Sequence, residues 1–351
     1  MEIPMNKNII ALAVAAAAFG TTAQAVELYN NDGSTFSIGG HATVGVAGGD
    51  ESHFAVDEKS PRINMEATQD LGNGFTADVK GEWALNMLNG GDNSFTTRLG
   101  YIGVSHADYG RLAAGTQWSP YYSAAGIADQ PIAFANDFLY DNHGALGTGR
   151  ADGLVAYTKG FEFGDAGALN VGLGWQGSAD LVDEKDNKFG ITDDRGQIAL
   201  GYDIANFNVN YAYTGGDVRI HSQTEKAQSH VVSAKYGQYG NGLFVAGVVA
   251  MNEYMNGASI SGGALPLEET RAYEAIVAYG LTNSLNLSVN YEAVNDEKKS
   301  DTVYATSAIQ AEYDIHPRVR AFVAYQFDLQ GSGEYKTDKD NQYAAGVRFF
   351  L

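Results

Sequence analysis

The segment PRVRAFVAYQFDL, residues 317–329, alternates with a period of two. Its odd positions Val319, Ala321, Val323, Tyr325, Phe327 and Leu329 are apolar, while Arg318, Arg320, Gln326 and Asp328 fall on even positions. Successive strand side chains point to opposite faces, so this segment reads as a strand with one greasy face and one largely polar, charged face. The end of the chain repeats the pattern, with Tyr343, Ala345, Val347, Phe349 and Leu351 opposite Gln342, Gly346 and Arg348. Further back, Leu285, Leu287, Val289 and Tyr291 alternate with Asn286, Ser288, Asn290 and Glu292. Phe207, Val209, Tyr211 and Tyr213 alternate with Asn208, Asn210 and Ala212 in the same way.

Working outward from these runs, the alternation predicts sixteen strands. They lie near 35–47, 61–70, 74–87, 94–107, 109–119, 150–160, 166–179, 191–203, 205–215, 228–238, 241–254, 268–280, 283–296, 302–314, 317–330 and 340–351. Tight connectors such as Asp70-Leu71-Gly72-Asn73-Gly74 and Asp314-Ile315-His316-Pro317 carry turn residues. Long ones, at 47–60, 179–190, 215–228, 254–268 and 331–340, are rich in Gly, Asp, Asn and Ser. Hairpins short at one end and long at the other are the pattern of a transmembrane β-barrel. A closed barrel leaves no strand edge and bonds every backbone group internally, as a bilayer demands. Tyr101, Tyr157, Tyr211, Tyr213, Tyr279, Tyr291, Tyr313, Tyr325 and Tyr343 sit on the apolar faces, which suits aromatic girdles at the membrane interfaces. The fold expected is therefore all-β, a 16-stranded antiparallel transmembrane barrel, and that many strands leave an aqueous lumen.

The start of the chain is a targeting segment. Lys7 precedes an apolar run from Ile9 to Phe19 and small residues ending Ala23-Gln24-Ala25, the layout of a signal peptide with its cleavage site. Residues 1–25 are thus expected to be removed, with Met5 as an alternative start because Glu2 is foreign to a basic leader, and residues 26–351 form the mature barrel domain. The apolar run is too short for a membrane helix, which takes about 20 residues. The chain has no cysteine, so disulfide and thiolate chemistry are excluded. Its mean hydropathy of -0.22 fits a barrel whose two faces average out. The net charge of -20 repels polyanions and concentrates cations, and no basic tract offsets it, so nucleic-acid binding is excluded.

One stretch breaks the alternation. Ser119 to Arg150, SPYYSAAGIADQPIAFANDFLYDNHGALGTGR, has no sustained period of either kind. A loop this long inside a compact domain is usually functional or disordered. Phe134, Phe138, Leu139 and Tyr140 argue against disorder. The segment 119–150 therefore reads as an ordered loop folded inward to narrow the lumen.

With these residues in view, the chain resembles the trimeric general porins of enterobacteria and vibrios. Val26-Glu27-Leu28-Tyr29-Asn30-Asn31-Asp32-Gly33 looks like that family's mature start. Ser60-Pro61-Arg62-Ile63, Gly74-Phe75-Thr76, Thr97-Arg98-Leu99-Gly100-Tyr101-Ile102-Gly103, Tyr109-Gly110-Arg111-Leu112 and Gly149-Arg150-Ala151-Asp152-Gly153-Leu154-Val155-Ala156-Tyr157 match its strands two to six in order. The resemblance covers the whole mature chain. It implies a constriction with basic strand residues facing acids on the third loop. Carried over, Arg62, Arg98 and Arg150 fall on the basic wall, and His41 and Thr96 stand where many members have a base. Glu82 points inward, and Asp129 matches a loop acid. The family's Pro-Glu-Phe-Gly-Gly signature is replaced by Pro131-Ile132-Ala133-Phe134-Ala135, so Asp137 or Asp141 is expected to substitute for the loop glutamate lost at Ile132. The chain ends in Leu351 where members normally end in phenylalanine.

The resemblance implies a passive diffusion channel for ions and small hydrophilic solutes in the Gram-negative outer membrane. Its expected partners are two further copies of itself and outer-membrane lipid, including lipopolysaccharide. No cofactor, metal or catalytic group is required, and the net charge favours a moderate cation preference. Two other classes fit parts of the sequence. An outer-membrane hydrolase would draw on His221-Ser222, Asp193-Asp194 or Asp141 near His143, but sequence neighbours on a strand face opposite ways. A channel dedicated to one substrate class, or a loop-mediated adhesin or receptor, is the alternative, and Trp118, Tyr121 and Tyr122 could begin an aromatic slide for sugars.

Overall fold

The structure, a computed structural model, describes residues 25–90, 95–140, 142–182 and 187–351. The leader expected over 1–25 lies outside this range except for Ala25. Nineteen strands are present among the described residues. They begin with β1 (Val26–Asn31), β2 (Ser34–Gly49), β3 (Ala55–Glu58), β4 (Arg62–Gly72), β5 (Phe75–Leu85), β6 (Phe95–His106) and β7 (Gly110–Trp118). Next come β8 (Arg150–Glu162), β9 (Ala168–Gln176), β10 (Ala179–Val182), β11 (Lys188–Ile204), β12 (Phe207–Ile220) and β13 (Gln223–Gln238). The chain closes with β14 (Asn241–Glu253), β15 (Thr270–Gly280), β16 (Leu285–Asp296), β17 (Asp301–His316), β18 (Val319–Asp328) and β19 (Gln342–Phe350).

The ladders reduce these to sixteen staves, every pair antiparallel. β2 pairs β4, β4 pairs β5, and so on through β9, which pairs β11. The series continues from β11 to β19, and β19 pairs β2, closing the ring. Three staves are composite. β10 continues β9 along the same edge of β11, with Gly177 and Ser178 between them. β3 continues β4 along β2, interrupted at Pro61, which has no N–H for the ladder. β1 lies end to end with β19 on the other edge of β2, so the two chain ends complete one stave, and Leu351 N donates to Gly40 O at the junction.

Turns at one end are tight for stated reasons. Asn73 and Gly74 both have positive φ, 52° and 81°, the backbone of a two-residue hairpin whose twist matches the strands. Outward faces are apolar: Ile102, Val209, Val323, Tyr279 and Val347 are among the exposed large side chains. In a bilayer these side chains meet hydrocarbon, and the closed ladder presents no open strand edge among the described residues.

Two sequence expectations are corrected. The connector expected over 215–228 is ladder nearly throughout, from Gly215 against Gln228 to Ile220 against Gln223, with the turn confined to residues 221 and 222. Tyr101 faces the lumen, where Arg111 lies 5.3 Å over its ring. The reason is a bulge in β6. Glu82 pairs Leu99 and Trp83 pairs Thr97, leaving Arg98 as the extra residue. A bulge of this kind shifts the alternation by one, so Tyr101 turns inward with Lys80 opposite.

Candidate pore constriction

The segment between β7 and β8 enters the barrel through two short helices, α1 (Pro120–Ala125) and α2 (His143–Leu146). Ser119 caps α1, its hydroxyl accepting from Tyr122 N, and Pro120 opens the helix where no N–H is needed. α2 ends at Gly147 in the left-handed region, where a Cβ would collide with the Gln197 amide. Between the helices the backbone is largely irregular, and its polar groups need partners.

The barrel wall supplies them. Tyr121 N donates to Gln197 Oε1 at 3.3 Å, and Ser233 Oγ donates to Ala124 O at 2.7 Å. Ile132 N donates to Glu312, Ala133 N to Gln310, and both Asp137 N and Phe138 N to Glu292. Leu139 N donates to Glu274 at 3.4 Å, and Asn256 Nδ2 donates to Phe138 O at 2.8 Å. Glu274, Glu292 and Glu312 are each 2% exposed, so these carboxylates serve the loop and not the water. An intramolecular hydrogen bond contributes about 0.5–1.5 kcal/mol net, and leaving a buried donor without a partner costs about 1–3 kcal/mol. The apolar side of the loop, Tyr121, Ile127 and Leu139, packs on Ala212, Val231, Val248 and Ile276 of the same wall. Burying a side chain such as Leu139 contributes roughly 1.5–3 kcal/mol. The loop is thus a core element for strands β11 to β17.

The opposite wall is left bare, and most of the candidate residues lie on it. His41 pairs Arg62 across β2 and β4, so their side chains share the inner face. Glu82 is buried between two arginines: Arg98 Nε donates to its Oε1 at 2.8 Å, and Arg62 Nη1 forms a looser ion pair with it at 3.7 Å. The bulge places Arg98 to reach it. Arg150 opens β8, its guanidinium 5.9 Å over the Trp118 ring and its Nη2 3.4 Å from His143 Nε2. His41 is buried, with Nδ1 3.0 Å from the Thr43 hydroxyl. Thr96 lies on the same inner side, paired with Ala84.

On the loop, Asp129 accepts from the Tyr122 hydroxyl at 2.9 Å. Burial raises the Asp129 pKa, while the Tyr122 hydroxyl and the charges of Arg62, Arg98 and Arg150 act against that rise. All three arginines and this one acid therefore share one electrostatic field. Burial and the Arg150 charge lower the His143 pKa, which keeps that ring neutral. Asp137 is exposed, and its backbone N donates to Glu292 on the loop-covered wall at 2.9 Å. Asp141 lies outside the described residues.

Sequence reasoning missed several neighbours. Arg320 and Arg348 face each other across β18 and β19, continuing the basic row beyond His41 and Thr43. Arg320 is held by Glu312 at 3.1 Å and Asp314 at 2.5 Å, and Arg348 donates to the Thr43 hydroxyl and Lys59 O. Their even position in the alternating runs was the available signal. Of the aromatic trio, Tyr121 is fully buried against the wall, whereas Trp118 and Tyr122 stack at 4.1 Å with Tyr140 beyond. The hydrolase candidates separate: His221 sits in a hairpin turn, Asp193 pairs Arg219, and Asp194 accepts from Ser178 N. Among the described residues no group of three or more His, Asp or Glu side chains is arranged to hold a metal ion.

Comparison with known proteins agrees with this geometry. The sequence matches the Gram-negative porin family over residues 11–333. It is 26% identical to outer membrane protein U of Vibrio parahaemolyticus, covering 98% of this chain and 99% of the relative. The structure resembles OmpF of Salmonella typhi, with a TM-score of 0.75 at 19% identity, covering 93% of this chain and 100% of that one. It also resembles an anion-selective porin from Comamonas acidovorans, with a TM-score of 0.73 at 14% identity over 91% and 100% of the two chains. A closed sixteen-stave barrel with a loop folded into its lumen, and a family match over most of the chain, lead to one conclusion: this chain belongs to the Gram-negative porin family and is a non-enzymatic diffusion channel of the outer membrane.

Proposed function

We propose that the mature chain, freed of residues 1–25, is a general porin with a modest preference for cations. Arg62, Arg98, Arg150, His41 and Glu82 form one side of its constriction, and Asp129 of the loop forms the other. The observation that carries this reading is Glu82 held between Arg98 at 2.8 Å and Arg62 at 3.7 Å on one wall, with the Asp129 carboxyl of the loop subject to the charges of Arg62, Arg98 and Arg150. Opposed charges across a narrow wet gap orient small polar solutes and disfavour apolar ones, which must displace ordered water. Asp137 is the weaker candidate for that face because it lies beside Glu292, and Asp141 stays in the proposal on sequence alone.

Two fields oppose each other. The constriction holds more arginines than acids and attracts anions locally. The chain as a whole carries -20 and gathers cations at the mouths. We assign the larger effect to the overall charge at low salt. Screening confines it to about 10 Å at 0.1 M salt, so the preference should fall as salt rises. The test is the zero-current potential of the purified protein in a salt gradient, at low and high salt. A cation preference that declines with salt supports the reading, and an anion preference at low salt overturns it.

The channel is further proposed to work as a homotrimer in lipopolysaccharide-containing lipid. Val44, Met65, Val79, Ile102 and Leu112 give the outer face of β2 to β7 an aliphatic surface, whereas Tyr202, Tyr211, Tyr279, Tyr291 and Tyr313 mark the rest as lipid-facing. Native mass measurement in detergent should give three copies, and a monomer would contradict it. The stacked Trp118, Tyr122 and Tyr140 favour a second reading, a channel for one sugar class, which saturable uptake would reveal.

A further inference from the structure

The tip of the inward loop reaches the far wall through Ile132, Ala133 and the Phe134 ring. Phe134 has φ of +50°, a conformation that bulky side chains rarely adopt. The resemblance puts a glycine of the Pro-Glu-Phe-Gly-Gly signature at this position, and glycine takes such a φ freely. Phe134 is held there from two directions. On one side Asn290 Nδ2 donates to Phe134 O at 2.6 Å, and Ala133 N donates to Gln310 Oε1 at 2.9 Å. On the other side Lys59 Nζ sits 5.5 Å from the ring centroid, within cation–π range. Ile132 and Phe134 also pack with Ala47, Phe322, Ala324 and Ala344 of β2, β18 and β19.

Lys59 is itself fixed. Its Nζ lies 2.6 Å from Asp57 Oδ2, and its carbonyl accepts from Arg348 Nη2 at 3.2 Å. It stands at the break between β3 and β4, beside Ser60 with its positive φ of 52° and Pro61. The break frees this stretch from the ladder and lets it meet the loop. Phe134 thus joins the loop-covered wall to the start of the basic wall.

We infer that Phe134 and Lys59 form a latch that closes the lumen beside the loop tip and sends solutes past Arg62, Arg98 and Arg150. Phe134 is a positioning residue: it sets the size limit by shutting a second gap, not by binding solute. The inference rests on the loop being the constriction, but it is read by conductance, whereas the selectivity reading is tested by zero-current potential. Failure of one is therefore distinguishable from failure of the other.

The test uses the purified mature protein in planar bilayers, with a thermal unfolding scan on each variant. Phe134→Gly removes the ring and eases the backbone, so single-channel conductance should rise while the unfolding midpoint stays level or rises. A ring with only a structural role would give the reverse, a lower midpoint with parental conductance. Phe134→Tyr keeps the ring and should restore the parental conductance. Lys59→Met should raise conductance less, and should add nothing to Phe134→Gly because both act through one contact. Parental or lower conductance in Phe134→Gly, or an equal rise in Phe134→Tyr, would overturn the latch.

Discussion

The two inner walls of the barrel are built from the same alternation and do different work. On β4, β5 and β6 the inward residues Arg62, Glu82, Arg98 and Tyr101 carry charge or a polar tip and are held by one another, by Ser60 and by Arg111. On β14 to β17 the inward residues include Phe244, Ala246, Val248, Ala250, Ile276 and Val294, with Glu274, Glu292 and Glu312 spaced among them. That second wall is a hydrophobic surface with carboxylate anchors, and the loop lies on it as a missing layer. A lumen is thus not one environment. Where apolar residues face inward, something must cover them, and where they do not, water runs.

The largest effect should come from cutting an anchor. Glu292 accepts from Asp137 N, Phe138 N and the Thr306 hydroxyl. Glu292→Ala leaves two part-buried loop amides without that partner, and an unsatisfied buried donor costs about 1–3 kcal/mol. The unfolding midpoint should drop and open-channel current noise should rise as the loop loosens. Parental values on both counts would mean that the covered wall does not hold the loop.

A smaller effect should appear on the acidic side of the gap. Burial places the Asp129 pKa above the usual carboxylate range, so the neutral form is favoured more than in an exposed acid. As pH falls, Asp129 takes up its proton before exposed carboxylates do, and the constriction loses a negative charge first. Cation preference should therefore decline at a higher pH than in Asp129→Asn, which lacks the step. Identical pH profiles for the two proteins would remove Asp129 from the gap.

The contrast also explains what could be read in advance. The staves were legible because one face meets lipid everywhere, and lipid imposes strict alternation, as in 317–329. The reach of β12 and β13 past 215 was not, because Gly215, Gly216 and Asp217 look like a connector although they pair in register with Gln228, Ala227 and Lys226. Tyr101 was misplaced because a bulge leaves no trace in composition; the alternation shifts at Arg98, and the residues after it change face. The acids Glu274, Glu292 and Glu312 gave no sign of their task, since their partners are backbone amides distant in sequence. One usable clue went unread. Residues 243–251, LFVAGVVAM, are apolar on both faces, which marks a strand covered on both sides and so locates the wall under the loop.

The chain has no cysteine, so single cysteines can be placed on each wall and challenged with a charged, water-soluble thiol reagent during current recording. Arg98 lies beside Glu82 on the bare wall, and Ser233 is 2% exposed beneath Ala124 of the loop. Arg98→Cys should react at once and its current should fall as the added group fills the gap. Ser233→Cys should stay unmodified with its current unchanged. Reaction and block at Ser233→Cys, with Arg98→Cys silent, would place the passage on the wrong side of the loop and contradict the account.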